Sequence, residues 1–130
     1  MAKVSRHQQK QKVSDLKRGD VCLVAFDPTI GYEIRKTRPA LIIQNDVGNQ
    51  YSPLTIVAAI TSKVSSIPFP VEVVVEPSKT NGLMKQSAIR LDQIRSIDRR
   101  RIIRRLGAVD GATMRKVDEA TKISLGLIDL

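Results

Sequence analysis

Residues 36–45 read KTRPALIIQN, a charged stretch that changes abruptly into apolar residues. Proline fixes its own φ and keeps the preceding residue out of the helical region, so we predict that Arg38 is extended at the start of a strand. The strand is apolar at successive positions, which indicates that both of its faces are buried. An arginine at the rim of such a strand can meet an anion; the alternative is a solvated arginine at an ordinary strand start.

The segments around this strand predict a mainly β fold. Further strands are expected over residues 21–26, 54–61 and 70–76, and over 86–97 as two short strands or one bent strand. Turns are expected over 45–49 and 77–84, the second with Asn81-Gly82 as a hairpin signal. The loops over 27–37 and 62–69 are long and exposed, and loops of this kind tend to carry function.

The C-terminal part predicts helix. Residues 99–105, which contain five arginines, are expected to form one short helix. Asp110 is expected to cap a longer helix over 111–127. Its apolar stripe, formed by Met114, Val117, Ala120, Ile123 and Leu127, is more typical of a core or dimer contact than of a cofactor site.

Length and composition favour one domain in a cytoplasmic protein. We expect residues 1–14 to form a basic mobile tail and 15–130 a single domain of this 130-residue chain. The sequence has neither an apolar run long enough to span a membrane nor the apolar segment of a signal peptide. Cys22 is the single cysteine, which excludes an internal disulfide and a cysteine-based metal cluster.

The net charge of +9 is concentrated in two segments. Residues 1–20 carry +4 and residues 95–105 carry +5, so the rest of the chain is neutral. Clustered basic groups favour a polyanion, because binding releases counterions from its phosphates. The less favoured alternative is that the charge serves solubility or an acidic protein partner. Aromatic residues are too few for a base-stacking platform of the RNA-recognition-motif kind.

Most catalytic arrangements are excluded by residue type. The only histidine is His7, next to Arg6 in the tail, so no Ser-His-Asp, Cys-His or paired-histidine site exists within the chain. The sequence has no phosphate-cradling P-loop motif. Its carboxylates are scattered, without the clustered pattern of a two-metal nuclease, although spacing alone does not exclude that the fold brings them together. Chemistry on nucleic acid would therefore depend on arginine and hydroxyl groups. This is feasible for RNA, because RNA supplies its own 2′-hydroxyl nucleophile.

Five short motifs occur in the chain in an order and spacing that are typical of one protein family. They are RGDV at 18–21, Asp27-Pro28 with Gly31 and Glu33, RPAL at 38–41, IVAAITS at 56–62 and QIRSID at 93–98. In this order and spacing they resemble the MazF/PemK family of toxin endoribonucleases, from about residue 16 to the C-terminus.

The resemblance implies a small SH3-like β-barrel of the PemK/CcdB type, with a short helix and a C-terminal helix, that forms a homodimer. It implies metal-independent and cofactor-free cleavage of single-stranded RNA, with messenger RNA as the expected target. The products would carry a 2′,3′-cyclic phosphate and a 5′-hydroxyl. A cognate acidic antitoxin, MazE-like, would occupy the RNA groove with an extended C-terminal segment.

The resemblance also assigns roles to residues. It places the catalytic arginine at Arg38 and the catalytic threonine at Thr61. The residues expected to bind substrate are Gly31, Tyr32, Glu33, Ser62, Lys63 and Gln93. Glu33 would position Arg38 or the substrate. Tyr32 stands where the family often has serine, and it would either stack on an RNA base or cover the loop.

Two rival functions remain for this sequence. A gyrase-poisoning toxin shares the fold, but a tryptophan near its C-terminus matters for that function, and this chain contains no tryptophan. The other rival is a catalytically silent module that binds nucleic acid or regulates a partner. Arg38 and Thr61 match the nuclease branch.

Overall fold

A computed structural model describes residues 15–129, and the predicted tail over 1–14 lies outside the described residues. The strands are β1 (Asp20–Ala25), β2 (Thr37–Ile42), β3 (Leu54–Thr61), β4 (Glu72–Val75), β5 (Ser87–Asp98) and β6 (Ile102–Ala108). The helices are α1 (Asp46–Tyr51) and α2 (Gly111–Ser124), and a 3-10 turn spans Arg99–Arg101.

All six strands belong to one sheet in the order β4-β5-β3-β2-β1-β6, and every neighbouring pair is antiparallel. Within residues 15–129, β4 and β6 do not pair with each other, so the sheet is not closed and the predicted SH3-like barrel is not confirmed. The loop between β4 and β5 instead reaches β6, where the Ala108 N–H donates to the Thr80 carbonyl at 2.9 Å.

Strand β2 lies between the two hydrophobic clusters of the protein. Ala40 and Ile42 belong to one cluster, whereas Leu41 belongs to the other, and all three are fully buried. The prediction that both faces of this strand are buried is therefore confirmed. Arg38 is extended near the start of β2, where it pairs with Val24 of β1.

Residues 45–49 do not form the predicted turn but begin α1. The Asn45 side chain caps this helix by accepting the Gly48 N–H at 2.8 Å. Asn49 is fully buried, and its side chain accepts a hydrogen bond from the Thr55 hydroxyl at 2.8 Å. Asn45 and Asn49, residues typical of turns, thus serve here as a helix cap and as a buried hydrogen-bond partner of β3. Tertiary packing decides between the turn and the helix.

The predicted helix over 99–105 is wrong. Only Arg99–Arg101 turn, after which β6 pairs with β1 along the sheet edge. The β-branched residues Ile102 and Ile103 favour a strand once a partner is available, and β1 supplies that partner.

Two alternatives left by the sequence are resolved. Residues 87–98 form one strand, whose register with β3 shifts between Ala58 and Ala59, so the bent-strand prediction is the correct one. Helix α2 begins after the Asp110 cap as predicted but ends at Ser124, which leaves Leu127 exposed outside the apolar stripe.

We predict that Gly82→Ala destabilises the protein by about 3 kcal/mol or more. Gly82 has a φ of +70°, and a Cβ there would lie 2.2 Å from the Leu106 carbonyl oxygen of β6. Gly126→Ala is the matched control, because Gly126 has a φ of +73° with nothing within 4 Å. The control should lose only the left-handed penalty of about 1–2 kcal/mol. Equal losses in urea unfolding would contradict the close approach of this loop to β6.

Candidate functional site

The two candidate catalytic residues lie on adjacent strands. The register pairs Ala40 with Ala59 and Leu41 with Ala58. Arg38 precedes this paired stretch by two residues and Thr61, the last residue of β3, follows it by two, so both stand at the same end of the two strands. The fold therefore brings together two residues that are far apart in sequence.

Both residues line a cavity of about 430 Å³ at this end of the sheet. Its polar lining comprises Arg38, Thr61, Ser62, Lys85, Ser87 and Arg104, and its apolar lining includes Leu23, Pro39, Ile60, Leu83 and Leu106. A largely apolar lining with a few polar and cationic groups is typical of a binding site.

The Thr61 hydroxyl has one clear contact within the described chain. Its oxygen accepts a hydrogen bond from the Lys63 N–H at 3.1 Å, which fixes the first residues of the loop after β3. Because a hydroxyl both accepts and donates, this contact leaves the Thr61 proton able to donate to a ligand. Lys63 itself is exposed and does not line the cavity.

The loop between β1 and β2 is held firmly at its base. The Phe26 N–H donates to the Lys36 carbonyl at 2.9 Å, and the Asp27 carboxylate accepts the Lys36 N–H at 3.1 Å. Arg101 also donates to the carbonyls of Ala25 and Asp27. The chain thus enters β2 from a fixed direction, which positions Arg38.

The middle of this loop is held by two polar side chains. The Glu33 carboxylate accepts the Ile30 N–H at 2.7 Å. From β5, the Gln93 amide accepts the Ile34 N–H at 3.4 Å and donates to the Tyr32 carbonyl at 3.3 Å. Within residues 15–129, Glu33 forms no ion pair with Arg38, and Gln93 contacts the loop backbone.

The tip of the loop is open to solvent. Gly31 has a φ of +58°, a conformation that suits glycine, and the Tyr32 side chain next to it is fully exposed. Tyr32 therefore does not cover the loop. The structure divides the candidate site residues into two groups. Arg38, Thr61 and Ser62 line the cavity, whereas Gly31, Tyr32, Glu33, Lys63 and Gln93 do not.

Three polar or charged residues of the cavity lining, Lys85, Ser87 and Arg104, are not among the candidates from the sequence. The sequence did not single out Arg104, because the helix predicted over 99–105 would distribute its arginines around the helix surface. A strand instead alternates its side chains, so that Arg104 and Arg105 face opposite sides of the sheet. A strand assignment for 102–108 would have separated them. No sequence signal distinguishes Lys85 or Ser87.

Two other titratable groups, Cys22 and Asp98, have pKa values shifted by burial or by hydrogen bonds outside the cavity. Burial, together with the neighbouring Asp20 carboxylate, raises the pKa of the Cys22 thiol to about 12 against an opposing effect of Arg105. Hydrogen bonds from Arg100 lower the pKa of Asp98 to about 2. Within residues 15–129, no three His, Cys, Asp or Glu side chains are grouped as metal ligands would be. No helix of that same part is long and apolar enough to cross a membrane.

Comparison with known proteins identifies the family. Residues 17–125 match the PemK-like, MazF-like toxins of type II toxin-antitoxin systems. The chain belongs to this family, which confirms the resemblance found in the sequence. Endoribonuclease EndoA of Bacillus subtilis (strain 168) is 45% identical over 114 residues, which cover 88% of this chain and 97% of that protein.

Solved structures agree on the fold. An endoribonuclease in complex with its cognate antitoxin, from a mycobacterial species, matches with a TM-score of 0.70 and 26% identity over 88% of this chain and 99% of that one. MazF from Deinococcus radiodurans matches with a TM-score of 0.72 and 24% identity over 85% of this chain and 96% of that one. The six-stranded antiparallel arrangement with two helices is thus of the MazF kind.

We predict that Cys22 is inert toward alkylation in the folded protein. A buried thiol with a raised pKa supplies almost no thiolate, and the thiolate is the reactive species. Iodoacetamide at mildly alkaline pH should react about 100-fold more slowly with the native chain than with the chain unfolded in urea. Mass spectrometry gives both rates, with Cys22→Ser as the blank. Comparable rates would show that Cys22 is accessible.

Proposed function

We propose that this chain is a toxin endoribonuclease that cleaves single-stranded RNA, with messenger RNA as its target and without a metal ion. The observation that carries the proposal is that Arg38 and Thr61, on adjacent strands, line one cavity with cationic lining. The naming of a 45% identical relative as an endoribonuclease supports it.

In the proposed reaction, the 2′-hydroxyl oxygen of the RNA attacks the adjacent phosphorus. The 2′-hydroxyl gives up its proton to solvent as the new O2′–P bond forms, the P–O5′ bond breaks, and the leaving 5′-oxygen takes up a proton from solvent, so no net proton is gained or lost. The products are a 2′,3′-cyclic phosphate and a 5′-hydroxyl end. DNA lacks the nucleophile and is not a substrate.

Arg38 stabilises the charge that develops on the phosphate oxygens. Its planar guanidinium matches phosphate geometry, and because a guanidinium has five donors and no acceptor it is a poor general base. Thr61 donates its hydroxyl proton to the same phosphate while its oxygen stays bound to the Lys63 N–H. Removing a well-placed donor of this kind typically costs about 3 kcal/mol of transition-state stabilisation.

Sequence preference resides in the two loops beside the cavity. Gly31, Tyr32 and Glu33 of one loop, with Ser62 and Lys63 of the other, bind the bases around the cleaved bond. Tyr32 stacks on a base, as its exposed ring permits. Gln93 acts mainly by holding the backbone of residues 32–34 in place.

The proposal includes partners, assembly and location. A MazE-like acidic antitoxin binds the same basic surface as the RNA, and the family relative solved with its cognate antitoxin supports such a partner. The active form is a homodimer in the cytoplasm, built from the single domain over 15–130 that follows a basic tail. Its curved sheet is of the SH3-like type, with the β4–β5 loop spanning the gap to β6. No observation favours a gyrase-directed or non-catalytic toxin.

We predict that Arg38→Ala lowers RNA cleavage by about 10³-fold or more, because a main charge-stabilising group is lost. Thr61→Val should lower it by about 10²-fold, whereas Thr61→Ser keeps the hydroxyl and most of the activity. The assay uses purified chain and a long mixed-sequence RNA in excess EDTA, with cut sites and end groups mapped.

Arg115→Ala is the control, because it removes the same type of exposed side chain from α2, outside the cavity. All variants should fold and bind antitoxin like the unsubstituted chain. Full activity in a folded Arg38→Ala protein would sink the catalytic assignment. If the unsubstituted chain, folded and free of antitoxin, cuts no RNA in EDTA, the proposed function is wrong.

For Gln93→Ala we expect looser selection of the cleavage site and a rate at the preferred site lower by about tenfold, because the loop backbone loses two hydrogen bonds. Gln86→Ala is the matched control, since the Gln86 amide donates to Glu76 at 2.7 Å outside the cavity. Cleavage maps of both variants give the comparison. An unchanged map for Gln93→Ala would mean that this tether does not shape specificity.

A further inference from the structure

The arginine-rich segment over 99–105 is mostly occupied by structural contacts. Arg99 donates to the carbonyls of Asn49 and Ser52, Arg100 pairs with Asp98, Arg101 donates to the carbonyls of Ala25 and Asp27, and Arg105 pairs with Asp20. Arg104 is exposed and makes no hydrogen bond or ion pair with any residue over 15–129. Of the five arginines, it alone lines the cavity.

The register of the sheet turns Arg104 toward the cavity. Leu23 of β1 pairs with Arg104 on one side and with Pro39 on the other, so the three form one row on one face of the sheet. Leu23 and Pro39 both line the cavity. Since adjacent strands lie about 4.8 Å apart, Arg104 stands about 10 Å across from β2, whose residues Arg38 and Pro39 both line the cavity.

Among the described residues, the cavity lining contains cationic side chains and no acidic ones. Arg38, Lys85 and Arg104 contribute positive charge, and no Asp or Glu over 15–129 lines the cavity. An unpaired guanidinium presents several donors that suit the oxygens of a phosphate. Arginines from two non-adjacent strands at one cavity suit a chain of phosphates better than a single small anion.

We propose that Arg104 binds a backbone phosphate next to the scissile phosphate and so positions the RNA, without taking part in the bond changes. The inference rests on the proposed endoribonuclease function. It makes β6 part of the RNA-binding surface and gives this one arginine of the segment a role that its neighbours lack.

The test compares the unsubstituted chain with Arg104→Gln, Arg104→Lys and the control Arg115→Gln. The binding probe is a mixed-sequence single-stranded RNA with 2′-O-methyl sugars, whose blocked nucleophile prevents cleavage. Affinity is measured over a range of salt concentrations in EDTA. Cleavage of the unmodified RNA gives kcat and KM, and thermal unfolding checks each fold.

For Arg104→Gln we expect affinity about tenfold weaker at low salt, from loss of a charged hydrogen bond. The slope of log affinity against log salt should become shallower by about 0.7, the value for one phosphate contact on a single strand. KM should rise while kcat stays within about twofold. Arg104→Lys should keep the slope, and Arg115→Gln should match the unsubstituted chain.

Three results would overturn the inference. In the first, folded Arg104→Gln keeps its RNA affinity and salt slope while the unsubstituted chain binds and cleaves RNA. This result rejects the role of Arg104 and leaves the proposed function standing. Weaker antitoxin binding or dimerisation with unchanged RNA affinity assigns Arg104 to a protein contact instead. Failure of the unsubstituted chain to bind and cleave RNA rejects both the inference and the function.

Discussion

The burial of β2 on both faces is the constraint on which the rest of the structure depends. Ala40 and Ile42 pack into one cluster and Leu41 into the other, so this strand connects the two cores. A slip by one residue would exchange the faces of every side chain and expose the wrong set. Because burial fixes the register of β2 against β1 and β3, it also fixes which residues meet at the open end of these strands.

The geometry of the candidate site follows from that register. Arg38 is placed by three neighbours: Pro39, which keeps it extended; Val24, which pairs with it; and the anchored base of the loop before it. Thr61 ends β3 at the same level, and the loop after it begins with a hydrogen bond to its own hydroxyl. The two candidate residues thus stand on strand ends held by the core, an arrangement that suits a preorganised site.

Local pattern predicted much of this arrangement. The strand over 54–61, the strand that begins around Arg38, the extended Arg38 and the Asp110 helix cap follow from β-branched runs, proline and capping chemistry. What failed depended on tertiary packing. Residues 102–108 become a strand because β1 offers an edge, and 45–49 become a helix because Asn49 finds Thr55. Arg38 and Thr61 were assigned from family motifs, whereas Lys85, Ser87 and Arg104 needed the folded sheet to be found.

The attachment of the β1–β2 loop has a consequence for divergence within such a family. Its base is tied to Asp27 and Arg101, its middle to a single amide from Gln93, and its tip touches little else. Substitutions at the tip therefore leave the buried strands that keep the protein folded undisturbed. The exposed tip and the buried scaffold can thus diverge separately, while the strands that carry Arg38 and Thr61 remain constant.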